Sequence, residues 1–255
     1  MKLLLRRAHL RIYFAALLFF FILGYPFLWF FAKNPKKHFR QIVFLRKWIG
    51  ALAMLTVGFR VKVRYEEEIN WNEGPFLICP NHSSFLDISI LNLIVKGEFS
   101  YMGKEELLKN IVTKIFFKTI DIPVNRQSKI SAFRAFKRAD SLLHDGKSVV
   151  IFPEGKIDDS YPPRLQEFKS GLFRLATEHD IKIIPIIIHD AWKIYWDDGK
   201  KYGTKAGIIH VSVLKPIPTK NSSQEKEKND LESLVRKKML QTWEQRDSTP
   251  ITRSK

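Results

Sequence analysis

The chain is 255 residues long and carries 43 Lys and Arg against 26 Asp and Glu, a formal net charge of +17. That length suits one globular domain with a sizeable core plus an appendage. The charge argues against a nucleic-acid partner: no Asp or Glu precedes Glu66, so thirteen basic groups stand unopposed in residues 1–65, leaving 30 basic against 26 acidic groups in the remainder. The unopposed groups flank apolar stretches, as they do near anionic lipid headgroups, and no zinc-finger or RNA-binding signature is present.

Ile12 to Ala32 is an uncharged, Phe- and Leu-rich run. As a helix it reaches about 30 Å, the thickness of a bilayer core. Tyr25 and Trp29 add aromatic anchors, and Pro26 is expected to bend it. The run is too long for a signal-peptide core and lacks a small-x-small cleavage site. A second apolar stretch, Ile42 to Phe59, is interrupted by Arg46 and Lys47, which predicts an interfacial or re-entrant helix. Basic residues flank the first run on both sides, so the positive-inside rule leaves two arrangements open: a hairpin held in one leaflet, or a crossing first helix. Residues 1–59 are thus expected to form a membrane anchor and residues 60–255 the soluble body.

The body opens with Phe59–Tyr65, whose strict alternation predicts a half-exposed strand with Arg60, Lys62 and Arg64 on one face. A turn at 72–75 leads into the apolar run Phe76-Leu77-Ile78-Cys79, a buried strand. The only cysteine, Cys79, excludes an intrachain disulfide and reads as a core residue. Then comes Asn81-His82-Ser83-Ser84-Phe85-Leu86-Asp87, followed by apolar residues at helical spacing. His82 therefore sits where a strand hands over to a helix, with Ser83 or Ser84 expected as the cap and Asp87 in the first turns. A histidine with a carboxylate one turn on suits a general base held in one tautomer.

Phe99–Met102 predicts a short strand, and Leu107 to Phe116 a helix with Lys104 near its start, as an anion ligand or a solvated lysine. Residues 119–126 read as a strand whose exit carries Arg126, where open α/β sheets place ligands. A helix follows. Ser148–Phe152 predicts a buried strand stopped by Pro153-Glu154-Gly155, which leaves Glu154 in a tight turn, facing either a site or water. Residues 168–176 predict a helix and Ile181–Ile188 a strand ending at His189-Asp190, with His189 expected at the surface. A last strand at 207–214, a charged helix from Asn221 to about Trp243 and a disordered tail complete the chain. Strands alternating with helices argue for an α/β fold with a mixed, largely parallel sheet flanked by helices.

Such a sheet collects His82, Asp87, Arg126 and Glu154 at one edge. There is no G-x-S-x-G elbow and no P-loop, and no His/Cys cluster with metal spacing. A base without a protein nucleophile implies a substrate hydroxyl as nucleophile, cations imply an anionic acceptor, and the anchor implies a lipid.

These residues resemble the 1-acylglycerol-3-phosphate acyltransferases, the lysophosphatidate acyltransferases. Asn81-His82 through Asp87 matches their NHx4D motif, Ile120 to Arg126 looks like their second block, Phe152-Pro153-Glu154-Gly155 matches the third and Ile184–Ile187 the fourth. Lys104 and Phe168-Lys169-Ser170-Gly171 match further segments, and the resemblance covers about residues 60–215. It implies acyl transfer from acyl-CoA or acyl-carrier protein to the sn-2 hydroxyl of a lysophosphatidate, giving phosphatidic acid in phospholipid biosynthesis. It implies no cofactor and no metal. His82 would be the base and Asp87 its orienting acid; Lys104, Arg126, Glu154, Gly155 and Lys156 would bind substrate. A bacterial inner membrane, with the catalytic domain on the cytoplasmic side, is the implied location. One departure stands out. The family usually continues Pro-Glu-Gly with Thr or Ser and often Arg, whereas Lys156 and Ile157 follow here. That leaves the acceptor headgroup open: another lysophospholipid or a lyso-aminolipid shares the same catalytic block. A silent lipid-binding protein and a hydrolase are the rival readings.

Overall fold

A computed structural model describes residues 1–196, 199, 201–219 and 225–247. In chain order its elements are α1 (Lys2–Ala32), α2 (Phe39–Thr56), β1 (Phe59–Tyr65), β2 (Leu77–Pro80), α3 (Asp87–Ile94), β3 (Phe99–Lys104), α4 (Lys114–Thr119), β4 (Ile122–Val124), α5 (Lys129–His144), β5 (Ser148–Val150), α6 (Gly171–Glu178), β6 (Ile183–Ile188), α7 (Ala191–Ile194), β7 (Gly207–Val213) and α8 (Glu225–Asp247). The seven strands form one sheet in the order β1-β7-β6-β2-β5-β3-β4. Five neighbouring strands, β6 through β4, run parallel; β1 and β7 pair parallel to each other, and β7 meets β6 antiparallel. The expected mixed, largely parallel sheet is present.

The central strands are continuous apolar runs because both faces are covered. Every residue of β2, β5 and β6 is buried. Along β6, Ile184, Ile186 and Ile188 face a core shared with α1, α2 and α3. Ile183 and Ile187 face a second core with α5, α6 and α8. Pro185 is tolerated in β6 because the ladder to β7 starts only at Ile186, and its carbonyl accepts the Leu214 N–H at 3.0 Å. After β2 the chain moves outward to β3 and β4, then returns through β5 and β6 in the other direction. The connections therefore diverge between β2 and β5, the switch point where open sheets leave a crevice.

The amino-terminal helices do not stand apart from the body. α1 begins at Lys2, well before Ile12, and continues through Pro26. Its residues Tyr13, Phe21, Gly24 and Leu28 are buried, while Phe14, Leu18, Phe19, Ile22, Phe27, Trp29 and Phe30 are exposed. Near its start, His9 bonds Thr204 Oγ1 at 2.7 Å and the Val57 carbonyl at 2.9 Å, and Tyr13 bonds Ser89 at 3.2 Å. In α2, Arg46 is buried against Asp121 at 2.5 Å and also donates to the Phe99 carbonyl at 2.9 Å. Its guanidinium lies over the rings of Phe99 and Tyr101. The basic pair that interrupts the apolar run thus points into protein: Lys47 donates to the Val95 carbonyl.

Two local expectations give way. The helix foreseen from Leu107 to Phe116 is split into a 3-10 turn at Glu105–Lys109 and the short α4. Asn110 causes the break, because its Oδ1 takes the N–H groups of Val112 and Thr113 at 2.9 and 3.2 Å and closes a turn of its own. His189, expected at the surface, is buried with Nε2 2.9 Å from Ser212 Oγ and its ring stacked on Trp243 of α8. Of the charged terminal helix, residues 221–224 lie outside the described residues, as does the tail beyond Asp247.

Candidate active site

Each of four adjacent parallel strands delivers a polar residue at its carboxyl end. β2 leads to His82, β5 to Glu154, β3 ends in Lys104, and Arg126 lies two residues past β4. Lys104 pairs in register with Val124, so Lys104 and Arg126 share one corner of this edge. From the strand of His82 to that of Arg126 is three strand spacings, about 14 Å.

The geometry around His82 is closely determined. Asn81 clips the strand exit to β6: its Oδ1 accepts the Ile188 N–H at 2.7 Å and its Nδ2 donates to the Ile188 carbonyl at 3.2 Å. Asp87, 0% exposed, turns its Oδ2 back onto the preceding loop. That oxygen accepts His82 Nδ1 at 2.9 Å and the N–H groups of Ser83 and Ser84 at 2.8 and 2.9 Å. Three donors converge on that one oxygen, and an accepting partner places the imidazole proton on Nδ1. Nε2 then carries the lone pair, and no described residue bonds to it. The ring stacks on Phe152 with centroids 4.1 Å apart, and the side chain stays 18% exposed.

The cap expected from Ser83 or Ser84 is absent. Leu86 precedes the helix and no side chain caps it. Ser84 Oγ instead accepts the Leu86 N–H at 3.1 Å and donates to the Tyr195 carbonyl. Asp87 thus takes the N–H groups of Ser83 and Ser84, and Ser84 Oγ takes that of Leu86 just before the helix.

Glu154, expected as a substrate ligand, has both oxygens engaged by the protein backbone. It is 5% exposed, and its two oxygens accept the backbone N–H of His82 and of Gln166, each at 2.7 Å. Burial pushes its carboxyl up to about 7, against the pull of those two hydrogen bonds and with a further push from the charges of Asp87 and Asp158. Glu154 is a strut between the histidine loop and the loop before α6. Cys79 is fully buried, and burial raises its thiol well above the usual range, which removes it as a nucleophile.

The cations are arranged more loosely. Lys104 and Arg126 are exposed. Partial desolvation lowers the Arg126 guanidinium, opposed by the charge of Glu106. Lys104 precedes only a five-residue 3-10 turn, so the expected helix dipole is missing. Lys156 is turned toward Asp159, 3.3 Å away on the surface. Gly155 has φ +72°, and a Cβ there would lie 3.0 Å from the Lys169 Nζ. Glycine therefore lets the third block and Lys169 meet, and Lys169 is exposed with no ion pair among the described residues. The Phe-Lys-x-Gly match was the signal that pointed to it. Among the described residues, the group of His, Asp and Glu side chains close enough to share an ion lies away from this edge.

Comparison with known proteins gives the family and the fold. A 29% identical stretch of 182 residues, 71% of this chain, is shared with an uncharacterized acyltransferase of Schizosaccharomyces pombe. A 1-acyl-sn-glycerol-3-phosphate acyltransferase of Chlamydomonas reinhardtii is 27% identical over 179 residues, 69% of this chain. The matches span 64% and 52% of those relatives' own lengths. The crystal structure of the 1-acyl-sn-glycerophosphate acyltransferase PlsC from Thermotoga maritima superposes with a TM-score of 0.75 at 20% identity, over 97% of each chain, and so shares the fold. The acyltransferase family profile matches residues 60–189, the segment that carries the dyad and all four blocks. The chain belongs to the acyltransferase family.

Proposed function

We propose that the protein transfers a fatty acyl group from acyl-CoA or acyl-carrier protein to the sn-2 hydroxyl of 1-acylglycerol 3-phosphate, giving phosphatidic acid for phospholipid biosynthesis. The observation that carries this reading is the His82–Asp87 pair, with no hydroxyl or thiol among the described residues hydrogen-bonded to Nε2. Such a base acts on a hydroxyl that the substrate brings. Nε2 takes that proton as the oxygen attacks the thioester carbonyl carbon. The tetrahedral oxyanion collapses, the C–S bond breaks, and the imidazolium returns the proton to the leaving thiolate. Asp87 steadies the cation in between. Glu154 acts through His82 by fixing its backbone, and is a positioning residue. Gly155 contributes the turn, and its own N–H is already given to the Phe152 carbonyl at 3.1 Å. Lys104, Arg126 and Lys169 supply charge for the acceptor phosphate; Lys169 takes the place of the cation that Lys156, paired with Asp159, supplies less well.

The support for a membrane setting is α1. It is the one described helix long and apolar enough to cross a bilayer, and its apolar outer face is exposed. Its first turns are bonded to the body, and Tyr13 touches Tyr195, which in turn meets Phe85 and Ser84 beside the dyad. That docking favours a hairpin of α1 and α2 lying in one leaflet, with the catalytic edge facing lipid from the cytoplasmic side of a bacterial inner membrane. The test is an acceptor panel with radiolabelled acyl-CoA and detergent-purified protein. The expected product is labelled phosphatidic acid from lysophosphatidate. Product from lysophosphatidylcholine but not lysophosphatidate overturns the acceptor, and labelled free fatty acid alone overturns the transfer.

A further inference from the structure

Away from the catalytic edge, a second group of side chains has ligand chemistry and no part in acyl transfer. Asp140 and His144 stand one turn apart on α5, and His179 follows the last residue of α6. One ligand atom from each lies within 4.8 Å of the others. Asp140 Oδ1 is 2.8 Å from His179 Nε2 and 3.1 Å from His144 Nδ1, and the two rings stand edge to face at 5.0 Å. Yet that oxygen is enclosed and accepts no hydrogen bond of good geometry. The nitrogens are close without being aligned as donors. His144 Nδ1 also lies 3.1 Å from the Asp140 carbonyl.

We propose that Asp140, His144 and His179 form a binding site for a divalent transition-metal ion such as Zn2+, which ties α5 to α6. Ligand atoms about 2.1 Å from a common Zn2+ are about 3.4 Å apart at the tetrahedral angle; the two separations here, 2.8 and 3.1 Å, are shorter, so the side chains open by a few tenths of an ångström to admit the ion. Two imidazoles and one carboxylate suit Zn2+, Co2+ or Ni2+, whereas Mg2+ and Ca2+ favour oxygen-only sets. His144 would bind through Nδ1, with its proton on the exposed Nε2. Both helices end at this point, so the negative ends of two helix dipoles favour a cation. The remaining positions are left to water.

The place in the fold sets the role. α5 and α6 run into β5 and β6, so their carboxyl ends lie at the amino edge of the parallel strands, opposite His82. Their amino ends follow Arg126 and Lys169. The helices also touch through Phe136 and Gly171, where a Cβ would lie 2.3 Å from the Phe136 ring. An ion here clamps the two helices whose amino ends follow two of the rim's cations, and takes no part in the chemistry. Sequence spacing gives little warning, because His179 is distant in the chain from the Asp140-x3-His144 pair.

The experiment uses full-length, untagged protein in detergent, stripped with EDTA and titrated with Zn2+, with Mg2+ as control. The expected result is one Zn2+ per chain and, at a hundredfold excess over Kd, a rise in Tm of about 5–10 °C, with no response to Mg2+. A His144→Ala/His179→Ala double variant should lose binding and shift while keeping acyl transfer within about twofold. No saturable Zn2+ binding, equal binding by the double variant, or an equal response to Mg2+ each overturns the proposal.

Discussion

The dyad and the cation rim share one sheet edge and are built in opposite ways. Around His82 every orienting bond is made inside the protein: Asp87 is saturated on one oxygen by three donors, and Glu154 on both. Along the rim, Lys104, Arg126 and Lys169 are exposed, and Lys156 leans on a surface aspartate. The difference separates two tasks. A base must be in place before substrate arrives, since misplacement by about 1 Å costs roughly a hundredfold. A phosphate ligand can close on its partner after binding, because a flexible ammonium or guanidinium loses little by waiting in water. On the proposed reading, the reaction type is written into the internally bonded half and the acceptor into the solvent-facing half.

The largest effect tests the internally bonded half. His82→Ala should lower kcat by about 10²–10⁴-fold at little changed Tm; retention within tenfold would remove His82 as the base. Next comes Glu154→Gln, in which an amide NH2 must face one of two buried N–H groups. A loss of about 10–100-fold in kcat is expected, with KM for the acceptor little changed. A matching rise in KM would return Glu154 to the substrate-binding set.

The same variant has a pH signature. A native carboxyl at about 7 instead of 4.5 binds more protons than the unfolded chain between those values. Stability contributed at this site therefore falls as pH rises from about 4.5 to about 7, by about 3 kcal/mol in all. The Tm of the wild type should drop across that window more steeply than that of Glu154→Gln. Parallel curves would contradict the buried, proton-binding environment.

Smaller effects test the rim. Arg126→Ala and Lys169→Ala should each raise KM for lysophosphatidate about tenfold and spare kcat. Lys156→Ala should change either constant by no more than about threefold, as for an exposed ion pair. The reverse ranking, with Lys156 dominant, would restore the headgroup role its position in the motif suggests.

What the sequence made legible follows the same divide. The strand–turn–helix carrying His82 and Asp87 is encoded locally, by an apolar run, a proline and an amphipathic segment, so its geometry was readable. Glu154 was placed at the right edge, but the donors it accepts from are backbone N–H groups, which leave no mark in a side-chain pattern. Arg46 and Lys47 read as breaks in a membrane segment because an apolar face looks the same whether it meets lipid or protein; only Asp121 and the Val95 carbonyl reveal which. His189 is buried by Trp243, more than fifty residues away in the chain, a long-range contact beyond any local pattern.

The central claim is that acyl transfer proceeds directly to a bound hydroxyl with His82 Nε2 as base and no protein nucleophile. Intact-protein mass spectrometry after rapid mixing with excess acyl-CoA, without acceptor, tests it most directly. The account predicts an unmodified protein mass, with labelled phosphatidic acid forming only once lysophosphatidate is added; a stoichiometric acyl adduct that disappears on adding lysophosphatidate would contradict it.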